Sequence, residues 1–282
     1  YLGAIADYNK AIAINPQDSN AYNNRGTAKS DLKDYLGAIA DYNKAIAINP
    51  QDSNAYNNRG TAKSDLKDYL GAIADYNKAI EINPQHANAY NNRGNAKSNL
   101  KDYRGAITDH TKAIEINPLD AGAYYGRGIA KQSSGNPQGA IADYNKAIQI
   151  DPQHADAFHN RGLAKGQLKD YPGSIADHSK AILIDPRDRY AYLGRGLSKY
   201  DLGEYQGAIS DYNKAIEINP LDSDAYYNRG NAKSNLKDYR GAIADYTKAI
   251  EINPQYAAAY FNRGLIKGKS GDNQGACADM IR

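Results

Sequence analysis

Residues 19–52 read SNAYNNRGTAKSDLKDYLGAIADYNKAIAINPQD, and this stretch decides the fold because related copies of it follow every 34 residues. Residues 1–34 are identical to residues 35–68. The period is also marked by eight of the ten prolines: Pro16, Pro50, Pro84, Pro118, Pro152, Pro186, Pro220 and Pro254. A fixed period of this length indicates a solenoid or array in which each repeat packs on its neighbours.

Counting Ser19 as position 1 of the repeat, apolar residues at positions 3, 4, 10 and 14 recur at helical spacing. A second apolar pattern begins at Tyr35, and Asn49-Pro50 closes it. Asp34 stands where an N-cap of this second helix belongs, because its carboxylate can accept a free backbone N–H. No strand alternation interrupts the pattern. The sequence therefore predicts an all-α fold with two helices per repeat.

Six positions together resemble the tetratricopeptide (TPR) repeat. Positions 4, 8, 20, 24, 27 and 32 carry Tyr22, Gly26, Ala38, Tyr42, Ala45 and Pro50. The resemblance covers one array over residues 1–282, with a second helix in 1–18, seven full repeats in 19–256 and a partial repeat in 257–282. It implies a TPR α-solenoid of antiparallel helix pairs, stacked in a right-handed superhelix whose first helices line a concave groove.

Composition limits the classes of function. Lys and Arg number 35 against 32 Asp and Glu, and this near balance argues against a nucleic-acid partner. No apolar run approaches the roughly 20 residues of a membrane span, so we expect no membrane insertion. The single cysteine, Cys277, excludes an intramolecular disulfide framework. Because the sequence starts at Tyr1 rather than Met, we expect it to be part of a longer or processed chain.

Charged residues recur at three positions where the TPR pattern differs or is silent: Arg at position 7, Lys at position 11 and Asp at position 23. A basic stripe for an acidic partner is one interpretation, and ion pairs between packed helices are the other. Positions 7, 11 and 26 hold 25 of the 35 basic residues, yet carboxylates recur in register with them. We therefore expect structural ion pairs, represented by Arg25, Arg59 and Arg93 with Asp41, Asp75 and Asp109.

Glycine recurs at positions 8 and 19. Position 8 fits a close approach of the two helices, as the TPR resemblance implies. Position 19 lies early in the second helix, where glycine costs up to about 1 kcal/mol relative to alanine. We expect a neighbouring Tyr or Arg side chain to lie over it.

The sequence contains no catalytic motif, and we expect no enzyme activity, no cofactor and no metal in this segment. His110 and His178 replace the position 24 tyrosine and are expected in the core, while His86 and His154 fall in turns between repeats. His159 alone is expected to face the groove. No pair of histidines has metal-ligand spacing on one helix face.

Asparagine dominates position 6, which the TPR resemblance places in the groove. We predict that this ladder binds peptide units, because an Asn amide offers both a donor and an acceptor. It is similar to the asparagine ladder of the O-GlcNAc transferase TPR superhelix; the alternative is a merely solvated, duplicated surface. The ladder comprises Asn24, Asn58, Asn92, Asn160, Asn228 and Asn262.

A second candidate site is apolar and lies in the middle of the chain. It comprises Tyr125, Ile129, Leu163, Tyr190, Leu193, Leu197 and Tyr200. Gly126 and Gly194 interrupt the ladder in this region, and we expect them to make room for a bulky ligand group. The alternative is that the apolar side chains pack on one another.

These features favour a non-catalytic scaffold that binds an extended peptide or partner protein segment in the concave groove. One alternative is a structural solenoid that self-assembles as a homo-oligomer through its uncapped terminal repeats. Another is the recognition arm of a larger enzyme whose catalytic domain lies outside these residues.

Overall fold

The computed structural model describes residues 1–280, which contain seventeen α-helices and no strand. The second helices of the repeats carry odd numbers: α1 (Leu2–Ile14), α3 (Tyr35–Ile48), α5 (Tyr69–Ile82), α7 (Tyr103–Ile116), α9 (Pro137–Ile150), α11 (Tyr171–Ile184), α13 (Tyr205–Ile218), α15 (Tyr239–Ile252) and α17 (Asn273–Met280). The first helices carry even numbers: α2 (Ser19–Asp31), α4 (Ser53–Asp65), α6 (Ala87–Asn99), α8 (Ala121–Ser133), α10 (Ala155–Gln167), α12 (Arg189–Asp201), α14 (Ser223–Asn235) and α16 (Ala257–Lys269).

The chain divides into two compact units, Tyr1–Ile150 and Asp151–Arg282. Within each unit, every first helix packs against the second helix that follows it, and consecutive helices are antiparallel. First helices also contact the first helix of the next repeat, as α2 contacts α4 and α10 contacts α12. Because first helices approach one another in this way, they form a continuous surface within each unit, which we call the first-helix face.

A tight turn joins the two helices of each repeat. Lys33 at position 15 adopts the left-handed conformation, with φ of 63°, and Asp34 N–H donates to the Lys29 carbonyl at 2.9 Å. These features form a Schellman-type helix end. Glycine occupies the same position in three other turns, Gly135, Gly203 and Gly271, each with positive φ.

The position 19 glycine has a different cause from the one expected. Asp34 caps the second helix, and its carboxylate accepts the Gly37 backbone N–H at 3.0 Å. A Cβ on Gly37 would lie 2.1 Å from that carboxylate. The expectation of a Tyr or Arg side chain over this glycine is wrong, because the space belongs to the cap.

Small residues allow the two helices of a repeat to approach closely. Ala38, Ala45 and Tyr42 are buried in the first full repeat. The Tyr42 ring lies on Gly26, where a Cβ would be 2.7 Å from the nearest ring carbon. Position 8 therefore requires glycine because the position 24 ring occupies the space of a side chain.

No helix within residues 1–280 is both long enough and apolar enough to span a membrane.

Candidate functional site

The position 7 arginine is held inside its own repeat. Arg25 donates from Nε to Oδ2 of Asp41 at 2.8 Å and from Nη2 to Oδ1 at 2.5 Å, and Lys29 Nζ lies 2.7 Å from the same carboxylate. These hydrogen bonds from the guanidinium to Asp41 raise the pKa of Arg25. Asp41 is buried, so a bidentate arginine and a lysine together compensate for the loss of its hydration.

The same arginine also joins neighbouring repeats. Arg25 Nη1 donates to Asn9 Oδ1 of the preceding second helix at 2.7 Å, and its guanidinium lies 5.4 Å from the centre of the Tyr22 ring. Equivalent bidentate pairs join Arg59 to Asp75 and Arg93 to Asp109. The donors of these arginines bind within the protein, which makes them part of the scaffold rather than a basic surface.

The asparagine ladder forms hydrogen bonds between successive first helices. Asn92 Nδ2 donates to Asn57 Oδ1 at 3.1 Å, and Asn58 Nδ2 donates to Asn23 Oδ1 at 3.2 Å. In the second unit, Asn262 Nδ2 donates to the Tyr227 hydroxyl at 3.0 Å. The amide nitrogens of these three residues therefore join adjacent repeats along the first-helix face.

The remaining ladder residues differ from one another. Asn24 is exposed, whereas Asn160 and Asn228 are half-buried. Asn160 Nδ2 donates to the backbone carbonyl of Asp156 at 3.1 Å. Among the described residues, Asn24 and Asn228 form no side-chain hydrogen bond, so both ends of their amides are available to a ligand.

The two glycines that interrupt the ladder lie against buried histidine rings. A Cβ on Gly126 would lie 2.5 Å from Cε1 of His110, and a Cβ on Gly194 would lie 2.5 Å from Cε1 of His178. The imidazole ring lies directly over each glycine, so neither position has space for a Cβ. The larger Asn side chain is excluded for the same reason.

This pairing is visible in the sequence once the geometry is known. Wherever position 24 is tyrosine, position 6 of the next repeat is asparagine; wherever it is histidine, that residue is glycine. The tyrosine pairs are Tyr8–Asn24, Tyr42–Asn58, Tyr76–Asn92, Tyr144–Asn160, Tyr212–Asn228 and Tyr246–Asn262. The histidine pairs are His110–Gly126 and His178–Gly194. The covariation between positions 24 and 6 was thus a sequence signal for this contact. It is not apparent when each position is considered separately.

His110 and His178 are completely buried, as expected for core positions. Burial lowers the pKa of His110 to about 4. Burial, together with the nearby His159 ring at 5.1 Å between centroids, lowers the pKa of His178 to about 3. Both imidazoles are therefore neutral at pH 7.

The residue at position 9 forms a hydrogen bond with the position 24 side chain in some repeats and cannot do so in others. The Tyr42 hydroxyl lies 3.3 Å from Thr27 Oγ1, and the Tyr246 hydroxyl donates to Asn231 Oδ1 at 2.9 Å. In repeats 155–188 and 189–222, position 9 is leucine. The Tyr212 hydroxyl and both His178 ring nitrogens are consequently buried without a hydrogen-bond partner among the described residues.

The predicted apolar patch is distributed over both units. Tyr125 and Ile129 belong to the first unit and are half-buried. In the second unit, Leu193 and Tyr200 pack against the core around Tyr212.

The three other residues of the patch are exposed. Leu163, Leu197 and Tyr190 expose 36%, 42% and 56% of their surfaces. They belong to the two adjacent first helices α10 and α12. The second unit thus presents apolar side chains to solvent on its first-helix face.

Within residues 1–280, no group of three or more His, Cys, Asp or Glu residues could hold a metal ion. His86 lies at the start of α6, where Nδ1 accepts the Ala89 backbone N–H at 3.4 Å, and His154 lies at the N-cap of α10. Cys277 is exposed.

Family models match most of the chain. The model described as "Tetratricopeptide repeat" matches residues 19–52, 53–86, 87–119 and 223–256. A model described as "TPR repeat" matches residues 1–32, 133–169 and 196–237, and another tetratricopeptide repeat model matches residues 245–278. Comparison with curated proteins gives no match.

Solved structures with the same architecture are similar to this chain. A tetratricopeptide repeat protein from Parabacteroides merdae covers 89% of the chain and 99% of its own length, with a TM-score of 0.65 and 20% identity, which supports the fold alone. MamA covers 58% of the chain and 96% of its own length, with a TM-score of 0.55 and 27% identity. YrrB, described as "a TPR protein with an unusual peptide-binding site", covers 65% of the chain and 95% of its own length, with a TM-score of 0.53 and 25% identity.

Proposed function

Because this chain belongs to the tetratricopeptide repeat family, we propose that it binds an extended segment of a partner protein along its first-helix face. The repeat array is a protein-interaction scaffold, as its family and its structural neighbours indicate.

The observation that carries the proposal is the leucine at position 9 of α12. Leu197 leaves 42% of its surface exposed, and it leaves the buried Tyr212 hydroxyl without a hydrogen-bond partner. An unsatisfied buried hydroxyl costs about 1–3 kcal/mol. A threonine at this position would remove that cost, as Thr27 does for Tyr42. A leucine that weakens the fold and faces solvent is best explained by a ligand that covers it.

The asparagine ladder adds polar contacts suited to a peptide backbone. Asn92 and Asn262 use Nδ2 to join neighbouring repeats, and their Oδ1 atoms form no hydrogen bond within residues 1–280. These oxygens can accept peptide N–H groups, while Asn24 and Asn228 can both donate and accept. Backbone recognition of this kind would hold an extended segment, and the apolar side chains would select its sequence.

YrrB, whose structure is similar to this chain, is described as having an unusual peptide-binding site. That description supports a peptide as the class of ligand.

The experiment selects 12-residue peptides from a random displayed library on the full chain, then measures their affinity by fluorescence polarisation. The decisive variant is Leu197→Thr. It restores a partner to Tyr212, so we expect a folding stability about 1 kcal/mol higher. We also expect peptide affinity at least tenfold weaker.

A matched control lies on a second helix. Leu183 of α11 is 73% exposed and lies outside the first-helix face. Leu183→Thr should leave peptide affinity within twofold of the wild type. Equal losses from both substitutions, or peptides that bind Leu197→Thr as tightly as the wild type, would refute binding at this face.

A further inference from the structure

A cavity of about 180 Å³ lies among α10, α11 and α12 of the second unit. Its lining includes Leu163, Tyr171, His178, Gly194, Leu197 and Asp201. Leu163 and Leu197 are two of the exposed leucines of the first-helix face, so the cavity opens where a peptide is proposed to lie. A cavity of about 150 Å³ already holds a benzene-sized group, which makes this one large enough for a peptide side chain.

Small residues in repeat 155–188 account for the cavity. A tyrosine at position 24 extends as far as the position 9 side chain, as Tyr246 does with Asn231. The imidazole of His178 is shorter, and position 12 is Gly166 where α2, α4 and α6 have serine. The hydroxyls of Ser174 and Ser198 lie 2.8 Å apart and satisfy one another in the wall.

The cavity carries one negative charge at its edge. Asp201 is exposed and forms no ion pair with any residue of the described part of the chain. It is also the last residue of α12. A carboxylate at a helix C-terminus is disfavoured by the helix dipole, so Asp201 does not stabilise α12.

We infer that this cavity binds the side chain of a lysine or arginine in the partner segment. The apolar stem of such a side chain lies against Leu163 and Leu197, and its charged end pairs with Asp201. A wholly apolar side chain would fill the same volume, but it would remove water from the carboxylate without replacing the lost hydrogen bonds. A basic side chain satisfies both the apolar walls and the acidic edge. The inference rests on the proposed function, because it names the residue type that the first-helix face selects.

The test couples one change in the peptide to one change in the protein. The probe is a 12-residue peptide selected on the full chain, synthesised with its lysine or arginine and again with norleucine in that place. Norleucine keeps the aliphatic stem and removes the charge. We expect the norleucine peptide to bind the wild type about tenfold more weakly, and to bind Asp201→Asn within twofold of the lysine peptide.

Two further variants make the result decisive. Asp65 occupies the same position 13 in the first unit, and Asp65→Asn should retain the tenfold preference. Asp201→Lys should select peptides with Asp or Glu in place of the basic residue. Both sites are exposed ends of first helices, so neither substitution disturbs the core.

The outcomes separate the two proposals. Peptides that depend on Leu197 but lack a basic residue, or whose norleucine forms lose equal affinity on wild type and Asp201→Asn, would overturn this inference and leave the proposed function standing. Selection of no peptide, or only of peptides indifferent to Leu197→Thr, would overturn both.

Discussion

Repeats 53–86 and 155–188 share their scaffold and differ around one buried ring. Both join Arg to Asp through two hydrogen bonds, Arg59 to Asp75 and Arg161 to Asp177. Repeat 53–86 buries Tyr76, whose hydroxyl lies 3.4 Å from Thr61 Oγ1, and the next repeat contributes Asn92 to the ladder.

Repeat 155–188 buries a smaller ring and presents a different surface. His178 has no hydrogen-bond partner among the described residues, position 9 is Leu163, and position 6 of the next repeat is Gly194. Repeat 53–86 presents polar amides on the first-helix face, and repeat 155–188 presents an apolar cavity. One scaffold thus supports two kinds of surface through changes at a few positions around one ring.

The largest expected effect lies in what the two repeats share. Asp75→Ala and Asp177→Ala each leave an arginine and a lysine without their buried carboxylate, and removal of one partner from such a pair costs about 3–5 kcal/mol. We expect equal losses of about 4 kcal/mol in the local free energy of opening, measured by hydrogen exchange in α5 and α11. A loss confined to one repeat would show that their scaffolds are not equivalent.

Acid should separate the two repeats without any mutation. The pKa of His178 is lowered from about 6.5 to about 3, so the unfolded state binds its proton first as the pH falls. The stability of this repeat is therefore complete above pH 6.5 and decreases continuously as the pH falls towards 3. By pH 5 the loss is about 2 kcal/mol.

Hydrogen exchange at pH 7 and pH 5 measures this difference directly. The free energy of opening of α11 should fall by about 2 kcal/mol relative to that of α5, whose central ring is Tyr76. His110 in α7 gives a second case, because its pKa is lowered to about 4. Parallel behaviour of α5, α7 and α11 would contradict the assignment of neutral, buried imidazoles.

The smallest effect concerns the turns, which are again shared. Lys67 and Lys169 adopt φ of 64° and 63°, a conformation that glycine adopts without strain. Lys67→Gly and Lys169→Gly should each stabilise their repeat by about 1 kcal/mol, and by equal amounts. The urea midpoint of the whole chain provides the measurement, with exposed Lys44→Gly inside α3 as a control that should destabilise by a similar amount.

The periodic pattern was sufficient to predict the all-α fold and the tetratricopeptide architecture. It succeeded because each position recurs often enough for its residue type to indicate its environment. The N-cap at Asp34 was also predictable, since the donor it satisfies is a local backbone group.

The candidate site was less predictable because its spaces are shared between helices. Gly126 and Gly194 signalled a missing side chain, but the sequence did not show that His110 and His178 fill the space. The 180 Å³ cavity depends on residues of three helices at once. Single positions could not reveal it, whereas the pairing of positions 24 and 6 could have indicated that two types of repeat exist.

The most direct test of that pairing is a double-mutant cycle between His178 and Gly194. Gly194→Asn alone should lower the free energy of unfolding by about 3 kcal/mol, because its Cβ would lie 2.5 Å from the imidazole. His178→Tyr alone should lower the free energy of unfolding by only about 1 kcal/mol, since the phenol can enter the cavity. The double variant recreates the tyrosine–asparagine pair of the other repeats. The account predicts that the double variant recovers about 2 kcal/mol of the summed loss in stability and no longer binds peptides through the closed cavity. Strictly additive losses, or undiminished peptide binding by the double variant, would contradict the account.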